Sequence, residues 1–212
     1  MIEIVVAVFL SYLMGSIPTA FIAGKWLKGI DIREHGSGNM GATNVFRVLG
    51  KKPGIVVLVI DILKGVLGVV LVGQLFQFEE IFTFVALGIA SVCGHNWTVF
   101  LKFKGGKGIA TSLGVLIGLT IKFAVLGPVL GFTLLIWLIT FALSAYISLA
   151  SIIAAIALPL IMVLTHQVFE VVGLGVIFCL SVIFRHKANI KRLLAGEESQ
   201  VQLPFRQIKR RK

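Results

Sequence analysis

Apolar blocks long enough to cross a bilayer recur along this 212-residue chain, separated by short connections in which basic residues gather. A spanning helix needs roughly 20 apolar residues, and about 17 suffice. Seven such segments are read, at approximately 2–24, 54–73, 81–95, 109–121, 124–143, 147–165 and 168–184. The fourth is too short to span unaided, and only Ile121-Lys122-Phe123 separates it from the fifth. Five crossings, with the short third and fourth segments re-entrant, are the alternative. Composition agrees: 58% of residues are hydrophobic and 14% charged, with a mean hydropathy of +1.02, where a soluble domain carries about 25% charged residues. The expected fold is an all-α integral membrane protein, one polytopic domain over 1–198 with a basic tail at 199–212. The first block starts at Met1 without a basic lead or a small-residue cleavage site, so it reads as a retained helix, not a signal peptide. Cys93 and Cys179 are lone thiols within apolar blocks and point to neither a disulfide framework nor a metal site.

The connections fix an orientation. Residues 25–53 hold Lys25, Lys28, Arg33, Arg47, Lys51 and Lys52, and the 96–108 loop holds Lys102, Lys104 and Lys107. The region from 185 holds nine more basic residues, so 18 of the 20 lie on one side. The other side receives Glu3, Glu79, Glu80 and Glu170, with Lys122 as its base. Basic loops stay in the cytoplasm. The expected topology therefore has the N-terminus outside and the C-terminus cytoplasmic, which requires an odd number of crossings. The terminal Arg/Lys run reads either as lipid-headgroup contact or as a solvated topology signal.

Three polar segments fall on that basic side. The first is Gly36-Ser37-Gly38-Asn39-Met40-Gly41-Ala42-Thr43-Asn44, followed by Arg47. Glycines let backbone N–H groups converge on one point, and such a nest cradles an anion. A short helix opening from Asn39 would add its dipole, and Arg47 offers a guanidinium fork for a phosphate. The plain alternative is a glycine turn or close helix packing. The second segment runs from Gly94-His95-Asn96-Trp97 to Lys104-Gly105-Gly106-Lys107-Gly108, just before an apolar helix. It is not a Walker A loop: Leu101 stands where the first glycine belongs, and Gly108 replaces the Ser/Thr that would hold magnesium. A second anion site is expected there without ATP hydrolysis, with Trp97, Phe100 and Phe103 in an interfacial aromatic belt. The third runs from Arg185-His186-Lys187 through Asn189 to Glu197. If it is helical, His186, Asn189 and Leu193 share a face, and Glu197 is a structural partner for an arginine. Ser144 sits in a polar break, as a site residue or a plain turn. Asp61 and Lys64, at i and i+3 in the second apolar segment, are functional candidates by depth or a mutually neutralising pair.

Several chemistries are excluded. No His is followed five residues later by Asp, so the His-x4-Asp acyltransferase motif is missing. No carboxylate cluster on the basic side stands ready to hold magnesium, and no G-x-S-x-G elbow occurs.

Across these segments, from Gly15-Ser16-Ile17-Pro18 to Glu197, the chain resembles the bacterial membrane acyl-phosphate:glycerol-3-phosphate acyltransferases. The resemblance implies transfer of a fatty acyl group from acyl-phosphate to the 1-hydroxyl of glycerol-3-phosphate, giving lysophosphatidic acid. It also implies no cofactor and no metal, and a bacterial cytoplasmic (inner) membrane location with the site at the cytoplasmic face. The family's functional Ser and Arg map to Ser37 and Arg47, its phosphate loop to Lys104–Gly108, its His and Asn to His186 and Asn189, and its structural Glu to Glu197. Catalytic roles are thus expected of Ser37, Arg47, Lys104, His186 and Asn189. Substrate contacts are expected of Gly36, Gly38, Asn39, Gly41, Thr43, Asn44, Gly105, Gly106, Lys107, Gly108, Ser144 and Arg185. The expected partners are the two substrates and membrane lipids, with no nucleic acid, and a monomer is the working expectation.

The residues suit that chemistry. Acyl phosphate is already activated, so positioning and charge stabilisation matter more than a strong base. The first nest is assigned to the acyl-phosphate head; Arg47, Lys104 and His186 are assigned to glycerol-3-phosphate. Two bases are open: His186, or the substrate phosphate, whose second pKa is near 6. The phosphate is favoured, because the basic neighbours of His186 work against its taking up a proton. The competing class is a transporter or channel for an anionic metabolite. Such sites lie near the midplane in broken helices of repeated halves, whereas these motifs fall at one face and no internal repeat is found.

Overall fold

The computed structural model describes residues 1–201, and the basic run expected within 202–212 lies outside the described residues. The described chain forms two compact units, Met1–Gly127 and the part from Pro128 onward. In the first unit, α1 (Ile2–Ser16) and α2 (Thr19–Lys28) replace the single helix expected at 2–24. Pro18 is the reason: its ring disfavours the α region for the preceding residue, and Ile17 is extended at φ −53°, ψ 116°. The break frees carbonyls that the fold then uses. Thr98 Oγ1 donates to the Ser16 carbonyl at 2.6 Å, and Lys64 Nζ donates to the Ile17 carbonyl at 3.0 Å.

Helices α3 (Ala42–Val48), α4 (Lys51–Leu75), α5 (Ile81–Asn96) and α6 (Ile109–Lys122) complete this unit. α4 starts three residues before the expected 54, because Pro53 sits in its first turn, where no N–H is needed. α1 packs on α5, and α4 on α6. These contacts are backbone-close: a Cβ at Gly94 would strike the Tyr12 carbonyl, and one at Gly114 the Ile62 carbonyl. Small residues serve this purpose in membranes, where packing, not hydrophobicity, holds helix to helix. A core of Ile32, Met40, Val45 and Val57, with Phe46 and Leu101 against it, sits under the first polar segment.

The second unit holds α7 (Gly127–Ser144, whose first residue closes the first unit), α8 (Ile147–Leu164), α9 (Phe169–Arg185) and α10 (Lys187–Leu194). α8 and α9 pack where a Cβ at Gly175 would meet Met162 and Pro159. Trp137 Nε1 donates to Ser151 Oγ at 3.2 Å, joining α7 to α8.

All seven expected apolar segments are helical among the described residues. Among the described residues, five stretches are long and apolar enough to cross a membrane: Ile2–Lys28, Lys51–Leu75, Ile81–Leu101, Ala124–Ser144 and Ile147–Leu164. A sixth is counted if α9 and α10, bent by 62°, form one span. α6, with 14 residues, is the short fourth segment; at 1.5 Å per residue it falls short of a core about 30 Å thick.

Candidate active site

The first polar segment is a folded loop. Asp31 caps the turn Ile32–Glu34, and the Arg33 fork grips its carboxylate at 2.6 to 3.1 Å. The hydrogen bond from Arg33 holds the Asp31 carboxyl down at about 2, against a smaller upward push from burial. Gly36 and Gly38 then take φ of +62° and +69°, a region open to glycine. Asn44, 1% exposed, staples the loop: its Oδ1 accepts from Ser37 N at 2.8 Å, and its Nδ2 donates to Ile32 and His35 carbonyls at 3.2 and 3.0 Å. Its amide is therefore occupied inside the loop and holds the backbone that a ligand would meet. The helix expected to open at Asn39 starts instead at Ala42, because Gly41 is extended at φ −116°, ψ 163°. With seven residues, α3 is too short to carry the dipole argument. Ser37, Thr43 and Arg47 are exposed, and Asn39 and Gly41 half-buried.

The second segment is built onto the end of α5. Lys102 and Phe103 turn the chain with φ of +53° and +59°. Gly106 N donates to the His95 carbonyl at 3.0 Å. A Cβ at Gly105 would collide with that carbonyl, and one at Gly106 with His95 Nε2. Gly108, at φ +80°, caps α6. Close packing thus accounts for these glycines, leaving Lys104 exposed and Lys107 half-buried on the loop they form. Trp97, Phe100 and Phe103 are exposed, as an interfacial belt requires.

The two segments meet. Met40 of the first and Gly106 of the second line one small cavity with Lys64, His95 and Thr98. Leu101 packs on the Ile32–Met40–Val45 core. Beneath them Asp61 and Lys64 pair at 2.8 Å, the neutralising arrangement considered from sequence.

In the second unit, His186 is the N-cap of α10, so it stays one turn from Asn189, both buried, while a bend separates Arg185 from the Arg192 face expected with it. α9 stops at Arg185, which is half-buried, and the chain bends by 62° before α10. His186, 3% exposed, places Nδ1 2.9 Å from the Val182 carbonyl. A carbonyl only accepts, so Nδ1 carries the hydrogen. The glutamate that meets an arginine is Glu198, not Glu197. Its Oε2 accepts from Arg192 Nε at 2.6 Å, and its Oε1 from Asn189 Nδ2 at 2.5 Å and Ser148 Oγ at 2.7 Å. Burial pushes its carboxyl up, but Ser148, Asn189 and Arg192 outweigh this and hold it below the ordinary carboxylate value. The reason for the one-residue shift is a helix stop. Gly196 takes φ +70°, and Glu197 N turns back to the Arg192 carbonyl at 2.8 Å. The next side chain is the one aimed at α10.

Ser144 ends α7 in a turn, its Oγ donating to the Thr140 carbonyl at 2.6 Å and accepting from Tyr146 N at 3.2 Å. Gln200 Nε2 reaches the Ser144 carbonyl at 3.3 Å and Val201 N the Ala145 carbonyl at 2.9 Å. The 198–201 strand of chain thus ties Ser144 to Asn189. Sequence reasoning missed Glu198, Ser148 and the hub role of Asp61 with Thr19 and His95; Gly94-His95 beside the glycine run was the available signal.

The family model for glycerol-3-phosphate acyltransferase matches residues 5–196. Proteins named glycerol-3-phosphate acyltransferase share this sequence widely. That of Chlorobium limicola is 43% identical over 95% of this chain and 97% of its own. That of Trichormus variabilis is 43% identical over 92% and 90%. A crystal structure of PlsY (YgiH), an integral membrane glycerol 3-phosphate acyltransferase in its glycerol 3-phosphate form, superposes with TM-score 0.84 at 39% identity, covering 94% of this chain and 96% of that one. Its lysophosphatidic acid form gives TM-score 0.80 over 94% and 95%. Shared sequence along nearly its whole length, and a shared helical architecture, place the chain: it belongs to the glycerol-3-phosphate acyltransferase family and is an acyltransferase.

Proposed function

We propose that this acyltransferase moves a fatty acyl group from acyl phosphate to the 1-hydroxyl of sn-glycerol-3-phosphate, forming lysophosphatidic acid and phosphate. The observation that carries the reading is the meeting of two basic, glycine-built loops in the first unit, one for each phosphate-bearing substrate. The Gly36–Asn44 loop, with Ser37, Asn39 and Thr43, receives the acyl-phosphate head, and Asn44 holds the loop in shape. Arg47, Lys104 and Lys107, with the Gly105, Gly106 and Gly108 backbone, receive glycerol-3-phosphate. In the second unit, His186 and Asn189 are assigned catalytic roles, and Arg185 and Ser144 substrate contacts.

The glycerol hydroxyl oxygen attacks the acyl carbon. The C–O bond to phosphate breaks, inorganic phosphate leaves with the electron pair, and the hydroxyl proton passes to a base. The substrate's own phosphate is that base; His186, with Nδ1 tied to Val182, presents Nε2 as the alternative acceptor. No cofactor or metal enters the scheme.

The basic connections support an odd number of crossings, which we read as seven, with the N-terminus outside and the C-terminus in the cytoplasm; one catalytic domain over 1–198, a basic tail from 199 and a monomer complete the reading. That puts the site at the cytoplasmic face of a bacterial inner membrane, where a bilayer-borne donor and an aqueous acceptor meet. The test supplies purified protein with glycerol-3-phosphate and, in turn, acyl phosphate, acyl-CoA and acyl carrier protein. Lysophosphatidate from acyl phosphate alone is expected; turnover of a thioester donor instead would overturn the donor assignment. Counterflow of radiolabelled phosphate esters in liposomes, without product formation, would favour the transporter.

A further inference from the structure

Under the two loops lies a buried ionic cluster that the acyl-transfer scheme does not use. Asp61 is 1% exposed and Lys64 3%, and their charges meet at 2.8 Å across one turn of α4. Thr19 Oγ1 donates to Asp61 Oδ1 at 2.6 Å, Lys64 Nζ donates to the Ile17 carbonyl at 3.0 Å, and His95 Nδ1 stands 3.7 Å from the same Oδ1. Asp61 Oδ2 is buried with no hydrogen-bond partner among the described residues. A pair of buried charges with one oxygen unsatisfied is an expensive way to fill space, and apolar side chains of similar size commonly pack as well or better. Ionisable groups at such depth mark function by default.

The cluster joins the broken end of α1, the middle of α4 and the end of α5, and its outlet is His95. The loop rests on that residue twice. Gly106 N is bonded to the His95 carbonyl at 3.0 Å. Gly106 also lies so close over the ring that a Cβ there would strike Nε2. The tilt of the imidazole therefore bears on the height of the Lys104–Gly108 loop, and Asp61, whose Oδ1 stands 3.7 Å from Nδ1 and is paired with Lys64, is a charge placed to set that tilt.

We propose that Asp61 and Lys64 are positioning residues: their ion pair orients His95 and thereby fixes the Lys104–Gly108 loop for the phosphate of glycerol-3-phosphate. The proposal rests on the assignment of that loop to glycerol-3-phosphate made above. Neither residue touches substrate; both act through His95.

The test compares the full-length protein with Asp61→Asn, Lys64→Met, their double variant and His95→Ala. Separate KM values for both substrates, kcat, melting temperature and glycerol-3-phosphate Kd by calorimetry are measured. Asp61→Asn raises KM and Kd for glycerol-3-phosphate about ten-fold, the scale of a small misplacement of a binding group, while KM for acyl phosphate stays within about two-fold. The double variant, which leaves no lone buried charge, folds and keeps the same selective defect. Asp61→Asn adds nothing further to His95→Ala. A folded Asp61→Asn protein with unchanged glycerol-3-phosphate affinity overturns the proposal. So does a parallel rise of both KM values with a falling melting temperature, the mark of a scaffold role only. A wild type that binds glycerol-3-phosphate yet forms no product defeats the activity reading alone, because Kd still decides this one; a wild type that binds none defeats both.

Discussion

The two glycine loops of the first unit look alike in sequence and are built on opposite principles. Gly36 and Gly38 are needed for their own backbone angles, +62° and +69°, in a loop that is open at its surface and closed by a single buried amide, Asn44. Gly105 and Gly106 are needed for what lies beneath them, the His95 carbonyl and imidazole. The first loop is shaped by local conformation and carries its polar side chains outward. The second is shaped by contact with the end of the helix that precedes it, so its geometry depends on how that helix end is packed. A glycine-rich basic stretch is thus a pointer to a site, but not to the forces that hold the site together.

The largest expected effect separates chemistry from architecture. Arg47 is exposed on α3, so Arg47→Ala leaves the melting temperature unchanged while activity falls about 100- to 1,000-fold, the usual cost of removing a charge-stabilising donor. Activity retained within a few-fold would remove Arg47 from the site. Next comes Gly105→Ala, whose Cβ meets backbone, not a flexible side chain. It should destabilise the protein by about 1–3 kcal/mol through overpacking, read as a lower melting temperature together with weakened glycerol-3-phosphate use. An undisturbed variant would mean that the loop floats free of α5. Asn44→Ala removes the staple and strands the Ser37 amide and two carbonyls, costing about 1–3 kcal/mol and raising KM for acyl phosphate. If the glycerol-3-phosphate KM moves instead, the two loops have been assigned the wrong way round.

A smaller effect probes the second unit. Glu198 has its folded pKa depressed below the ordinary 4.5, so the stability it contributes is fully present above that value and is lost as pH falls through the depressed one. Glu198→Gln should lower the melting temperature at pH 7, and the gap to wild type should close as pH drops below about 4.5. A gap independent of pH would mean that packing, not charge, holds the 198–201 chain to α10. Ser144→Ala is expected to change least, less than about three-fold in activity, because its hydroxyl is spent on the Thr140 carbonyl and Tyr146 amide of a turn.

Much of this was legible in the chain itself. α4 and α8 follow directly from long apolar runs, the first carrying only the charges Asp61 and Lys64 in its interior, and the position of the polar segments between helices follows from charge. Pro18 was in plain view, yet the break it makes was hidden by the strength of the apolar signal on both sides. Whether Asn44 faces a ligand or its own loop is not a local property, since its amide suits either. The choice of Glu198 over Glu197 depends on a left-handed turn at Gly196, which redirects the chain by one residue in a way that no spacing rule captures. Asp61, Lys64 and His95 were each visible as polar residues in apolar surroundings, but their common focus under Gly106 exists only once α4 and α5 are packed.

The central claim, that each loop serves one phosphate, is tested most directly by measuring both KM values in Ser37→Ala and Gly106→Ala. The account predicts a raised acyl-phosphate KM in Ser37→Ala and a raised glycerol-3-phosphate KM in Gly106→Ala, each with the other constant nearly unmoved. A rise of the same constant in both variants would contradict it.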